Sequence, residues 1–183
     1  MKNFTLSLLI IPIAIGIGII SASFIIHEKT EREALLKSKR IAQVAIVVKD
    51  IDKARTEWAQ ALGIAVPEVS VAEGHSSRPT QYKHEPSNGK AKLAFINMEN
   101  IQIEIIQPLG GKSTWQEFLD THGEGLHHIA FAVKDINGVE KQFELQGMPT
   151  VQSGGWDGGA YSYVDAVSKM GCILELLEEY NKK

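Results

Sequence analysis

The stretch Gly125-Leu126-His127-His128-Ile129-Ala130-Phe131-Ala132-Val133-Lys134-Asp135-Ile136 decides the fold. Small and β-branched apolar residues fill its first part, which predicts a strand buried on both faces. Lys134-Asp135 then breaks the apolar run, and Asp135 is placed to cap a following helix. An earlier stretch, Ile41-Ala42-Gln43-Val44-Ala45-Ile46-Val47-Val48-Lys49-Asp50-Ile51, repeats this pattern. Ala45/Ala130, Val48/Val133, Lys49/Lys134, Asp50/Asp135 and Ile51/Ile136 are identical pairs, and in that register Gln43 falls on His128. A repeated unit implies two modules that share one architecture.

Working outward, each module reads as strand, helix, then about three strands. In module one, Asp50 caps a helix over Ile51 to Leu62, and Gly63 stops it. Residues 64–90 are rich in turn formers, with one short strand over Glu68–Ala72. Ala91–Met98 and Ile101–Pro108 form a hairpin about Glu99-Asn100. The connector Ser113-Thr114-Trp115-Gln116 has a capping-box pattern that starts a helix to about Thr121. In module two a helix over Asn137–Leu145 stops at Gly147, residues 153–159 form a flexible glycine loop that could act as a lid carrying Trp156, and Ala160–Asp165 and Gly171–Glu178 are strands. The expected fold is α+β: two tandem βαβββ modules forming a curved mixed sheet around one cavity, preceded by an N-terminal hydrophobic helix. The domain spans 41–183, with module one at 41–109, the connector helix at 110–124 and module two at 125–183.

Phe4 to Ile26 contains no charged residue and is long enough to cross a bilayer. Residues 1–27 read as a membrane anchor, because the apolar run continues past Ser21-Ala22-Ser23 through Phe24, Ile25 and Ile26. The alternative is a cleaved signal, with Lys2 before the apolar run and those small residues as the cleavage site, leaving an exported domain. Residues 28–40 are charged and read as a short helical stalk or linker. Its cations lean towards a cytoplasmic domain. Hydrophobic content of 44% supports a packed core, and the net charge of −3 without a basic block excludes nucleic acid as the main partner. Cys172 is the single cysteine, so no intramolecular disulfide forms.

Strand alternation places Gln43, Ala45 and Val47 on one face, as it does Gln102, Glu104 and Ile106, and His128, Ala130 and Ala132. His127 then points to the opposite face and reads as structural. Ile103-Glu104-Ile105-Ile106 matches Leu174-Glu175-Leu176-Leu177 in the last strand of the other module. An acid within so apolar a strand is costly unless neutralised, paired or bound to a cation. Gln43, Glu104, His128 and Glu175 together offer an amide oxygen, an imidazole nitrogen and two carboxylates. That set suits a divalent cation: Zn, Ni, Co, Mn or Mg. The alanines beside these residues leave room for a small-molecule substrate. His84 and Arg78 have no spacing that assigns them to an anionic substrate.

The repeated βαβββ unit with these four positions resembles the vicinal oxygen chelate superfamily. Within it, Ile103–Leu109, Ser113-Thr114-Trp115-Gln116-Glu117-Phe118-Leu119 and Gly123-Glu124-Gly125-Leu126-His127-His128-Ile129-Ala130-Phe131 resemble methylmalonyl-CoA epimerases. The resemblance implies that His128 and Glu175 are metal ligands. Gln43 departs from the usual epimerase His and gives a Gln/Glu/His/Glu set similar to that of some lactoylglutathione lyases. The strand 92–96 lacks the additional Glu that some epimerases carry, so Glu104 must serve as any second base. The implied chemistry is proton transfer next to a carbonyl, with Glu175 as base and Glu104 as partner or ligand. Three readings follow: an epimerase acting on an acyl thioester, a lyase acting on a glutathione adduct, and a protein that only sequesters a small molecule. The cavity is expected within one chain or across a homodimer.

Overall fold

Alternation along the first strand sets the centre of the molecule: Gln43, Ala45 and Val47 are buried while their neighbours are only partly covered. The structure is a computed structural model that describes residues 34–180. The anchor or signal segment 1–27 and its proposed helix lie outside the described residues. Among the described residues, no helix is long and apolar enough to cross a membrane.

In chain order the elements are β1 (Ile41–Val47), α1 (Ile51–Leu62), β2 (Val69–Ala72), β3 (Gln81–Tyr82), β4 (Glu85–Pro86), β5 (Ala91–Asn97), β6 (Gln102–Pro108), α2 (Thr114–His122), β7 (Gly125–Ala132), α3 (Ile136–Leu145), β8 (Thr150–Trp156), β9 (Gly159–Asp165), α4 (Val167–Met170) and β10 (Ile173–Glu179). The strands form a curved mixed sheet of ten, in the order β2-β5-β6-β1-β7-β10-β9-β8-β3-β4. The middle of that order is mirrored: β2-β5-β6-β1 in one module faces β7-β10-β9-β8 in the other. The two first strands, β1 and β7, pair antiparallel and join the halves.

Local chemistry explains the helix ends. The Asp50 side chain accepts from the Lys53 N–H, and Gly63 closes α1 with a φ of 66° that favours glycine. Ser113 accepts from the Gln116 N–H at the start of α2, but the Gln116 amide donates to Asp120 and does not return to Ser113. The capping box is therefore half-formed. Asp135 caps α3 from a left-handed conformation, φ 57°, and a Cβ on Gly138 would lie 2.3 Å from its carboxylate. That position needs glycine because the cap folds back onto it.

Helices α1 and α3 each cover the sheet of their own module. Ile51, Ala54 and Trp58 pack with Ile96 and Ile105, and Phe143 packs with Val164, Leu174 and Leu176. Replacing the fully buried Phe143 by Ala would cost about 3–5 kcal/mol. Helix α2 does something else: Trp115 and Phe118 pack with Ala45, Val47 and Tyr163, on the face that carries Gln43.

Three sequence expectations are corrected. Residues 153–159 do not form a flexible loop; they belong to the β8–β9 hairpin. Their glycines lie under aromatic rings: a Cβ on Gly154 would meet the Tyr161 ring at 2.7 Å, and one on Gly159 would meet Trp156 at 2.1 Å. Residues 64–90 hold an additional hairpin, β3–β4, and β3 pairs with β8 of module two. The stalk's described part, residues 34–40, contains no helix, and Leu35 and Leu36 pack against the α3 core. Burying those two leucines outweighs a local helical preference.

Candidate metal centre

Two rows of residues cross the central strands. In the first, Glu104 of β6 is register partner to Ala45 of β1, and Ala45 to His128 of β7. In the second, Gln102 partners Gln43, Gln43 partners Ala130, and Ala130 partners Glu175 of β10. The alanines Ala45 and Ala130 are fully buried and bring no bulk between the polar side chains. This is how the repeat draws Gln43, Glu104, His128 and Glu175 to one hollow.

Ligand atoms of Glu104, His128 and Glu175 all lie within 4.8 Å of one another. His128 Nε2 is 3.0 Å from Glu175 Oε2 and 3.5 Å from Glu104 Oε2. Exposures are 6% for Glu104, 2% for His128 and 4% for Glu175. None of these three facing atoms has a hydrogen-bond partner of good geometry. Leaving one such group unsatisfied costs about 1–3 kcal/mol, and more if it is charged. Three converging lone-pair atoms with nothing between them fit a bound cation, which all of them could share. Gln43 completes the group sideways. Its Nε2 donates to Gln102 at 3.1 Å, and the Gln102 amide donates to Asn97 at 2.8 Å. Gln43 lines the same cavity, with its Nε2 committed to Gln102 and its carbonyl oxygen not used in that bond.

Burial dominates the protonation equilibria here. It lowers the His128 imidazole to about 3. It raises the Glu175 carboxyl to about 8, with the Tyr163 hydroxyl pulling the other way. Glu104 is raised well above the usual carboxylate range, first by burial and then by the neighbouring Glu175 charge. Without a cation the site therefore holds protons; a divalent cation would displace them.

The strand face expected for His127 is corrected. β7 carries a bulge: Ala45 partners His128 and Ile46 partners Leu126, so His127 is left over. A bulge re-aims the side chain beside it. His127 is buried, its Nδ1 lies 2.9 Å from His128 Nδ1, and its ring sits edge-on to Phe118 and Tyr163. One of the two Nδ1 atoms must carry a hydrogen and the other accept it. With His128 donating, its Nε2 keeps the lone pair that a cation needs.

The site opens into a cavity of about 570 Å³, lined by Gln43, Glu104 and Glu175 at the polar end. His128 lies beneath this lining. Tyr161, Tyr163, Thr80 and Gln102 also line it and were not assigned from the sequence. The alternation Tyr161-x-Tyr163 and Gln102-x-Glu104 was the available signal, since each pair shares a strand face. Trp156 does line the cavity, from a hairpin. Arg78 and His84 do not; Arg78 forms an ion pair with Glu140 of α3 at 2.5 Å.

Residues 42–164 match the sequence profile of the Glyoxalase/Bleomycin resistance protein/Dioxygenase superfamily, and the chain belongs to that superfamily. Among its relatives, an ethylmalonyl-CoA/methylmalonyl-CoA epimerase of Cereibacter sphaeroides is 29% identical over 142 residues, covering 75% of this chain and 96% of the relative. The human mitochondrial methylmalonyl-CoA epimerase is 30% identical over 99 residues, 54% of this chain and 48% of its own length. The fold is shared with the crystal structure of methylmalonyl-CoA epimerase from Mycobacterium tuberculosis, at a TM-score of 0.57 and 20% identity over 80% of this chain and 91% of that one.

Proposed function

We propose that this chain is an isomerase that removes and returns a proton at the carbon next to a carbonyl group. The observation that carries this reading is the trio of buried, unpartnered atoms on Glu104, His128 and Glu175 at the end of a cavity. Gln43, Glu104, His128 and Glu175 would hold a divalent cation, which when bound polarises a carbonyl oxygen and stabilises the negative charge that develops on it. Glu175 is the base that takes the proton. Glu104 reaches the same hollow from the other module and is placed to return one. Tyr163, on the strand beside Glu175, holds that carboxylate in position through its hydroxyl. Trp115 and Tyr161 wall the cavity and keep water from the reacting carbon. The names of the epimerase relatives support proton transfer of this kind.

Gln43 favours a second reading, in which the proton moves between adjacent carbons as in a lactoylglutathione lyase. Both readings require the same base. The test is proton–deuterium exchange on α-substituted thioesters with Glu175→Gln. We expect exchange to fall by about 10²–10⁴-fold while cation binding, followed by calorimetry, persists. Full exchange in a variant that still binds cation removes Glu175 from this role; no exchange in the parent protein leaves sequestration as the function.

A further inference from the structure

We infer that the substrate of this site bears a neutral or cationic apolar group at the cavity mouth, and not a polyphosphorylated carrier such as CoA. The inference rests on the proton-transfer reading only for the identity of the reacting carbonyl. Its own support is the charge of the walls. The cavity lining contains five carboxylates, those of Glu73, Glu104, Asp157, Glu175 and Glu179, and no Lys or Arg among the described residues.

The inner pair, Glu104 and Glu175, would cancel the charge of a divalent cation, so the loaded floor presents no net positive charge to a second anionic group. At the mouth, Glu73 is matched by Lys90 at 2.8 Å. Asp157, in the β8–β9 turn, and Glu179, at the end of β10, also line the cavity, and neither has an ion-pair partner among the described residues. Among the described residues, Arg78 and Lys83 are engaged away from it. Arg78 donates to Glu140 and Ser162, and Lys83 pairs with Glu117 on α2 at 2.8 Å. His75 lines the cavity, with its Nδ1 hydrogen-bonded to Ser77.

Between these acids the walls are apolar and partly open. Phe95 and Trp156 are each 38% exposed, and Val71, Leu93 and Leu177 complete the surface. Aromatic faces flanked by carboxylates attract organic cations and accept neutral apolar groups, and they disfavour phosphate. The unpartnered Glu104 and Glu175 oxygens mark the same cavity as a ligand site independently of its rim.

One acyl group on three thiols tests this. The full chain, loaded with Zn²⁺, is offered phenylacetyl thioesters of CoA, N-acetylcysteamine and thiocholine. Proton–deuterium exchange and equilibrium binding are both measured. The neutral and cationic thioesters should bind and exchange at least about tenfold better than the CoA thioester, and the gap should narrow as salt rises from about 0.05 to 0.5 M. Asp157→Lys with Glu179→Lys should reverse the order. Preference for CoA, an order indifferent to salt and to charge reversal, or no binding by any of the three overturns the inference. The expected binding order without exchange in any thioester defeats the proton-transfer reading and leaves the charge preference standing.

Discussion

Module one and module two supply matching acids but give them different neighbours. Glu104 is register partner to Phe95 on the adjacent strand, whereas Glu175 is partner to Tyr163. Phe95 offers no hydrogen. The Tyr163 hydroxyl favours an ionised Glu175 and is itself held by the Trp115 Nε1–H at 3.0 Å. The first strands differ in the same sense. Module one supplies Gln43, which donates to its register partner Gln102 on β6 and lies beside a register shift at Ala42; module two supplies His128, backed by His127 at a second shift. Duplication thus preserved where the polar atoms converge, while each half changed what stands behind them. Two acids of one origin then acquire different hydrogen-bonding neighbours, which is what a site needs if one group is to take a proton and the other to return it.

Several measurements would break or sharpen this asymmetry. The largest expected difference is between the two Glu→Gln variants. Glu175→Gln should lose about 10³-fold in exchange and Glu104→Gln roughly ten times less. Equal losses would show that both acids abstract protons. Next comes the support behind the first strands. His127→Phe keeps the aromatic packing against Phe118 but removes the Nδ1 contact, and should weaken Zn²⁺ binding about 10–100-fold by calorimetry. Gln102→Leu removes only the tether on Gln43 and should cost a few-fold. If the two costs match, the bulge confers no advantage.

The pH dependence of the cation-free protein is the third test, and its sign follows from direction. Glu175 is raised to about 8, so its proton stabilises the fold at low pH and that contribution is lost as pH climbs from about 4.5 to 8. His127 and His128 are both lowered to about 3, so their contribution is present above about 6.5 and is lost as pH falls towards 3. The two windows overlap between about 4.5 and 6.5, where the effects oppose, so melting temperature should be highest near pH 6.5 and fall above it, and Zn²⁺ should abolish that fall. A flat profile from about pH 6.5 to 8 without cation would contradict the burial of Glu175. The smallest effect is expected from Phe95→Tyr, which puts a phenol beside Glu104 in imitation of module two. The Glu104 titration, followed by carboxyl NMR, should move down by about one unit.

Much of this is legible in the sequence alone. Helix ends are, because Asp50, Ser113 and Gly63 act on backbone groups a few positions away. The shared face of Glu104, His128 and Glu175 is also legible, since strand alternation and an internal repeat together specify both face and height. Features that depend on a distant partner are not. The β7 bulge is a property of the pairing with β1, and neighbouring histidines alone do not reveal which of them is extra. The β3 strand is two residues long and is made by β8, a partner with no local signature. The glycines at 154, 155, 158 and 159 suggested looseness, whereas two of them make floors for Tyr161 and Trp156.

That short β3 strand has a consequence for how the halves hold together. By sequence it belongs to module one, yet it extends the outer margin of module two, and Glu73 to Thr80 crosses from one margin of the sheet to the other. Arg78 pins this crossing to α3. The two halves are therefore interlocked like a clasp. A chain severed between Leu109 and Gly111 would still have one fragment gripping the far flank of the other, so neither half is a self-sufficient copy of the ancestral unit.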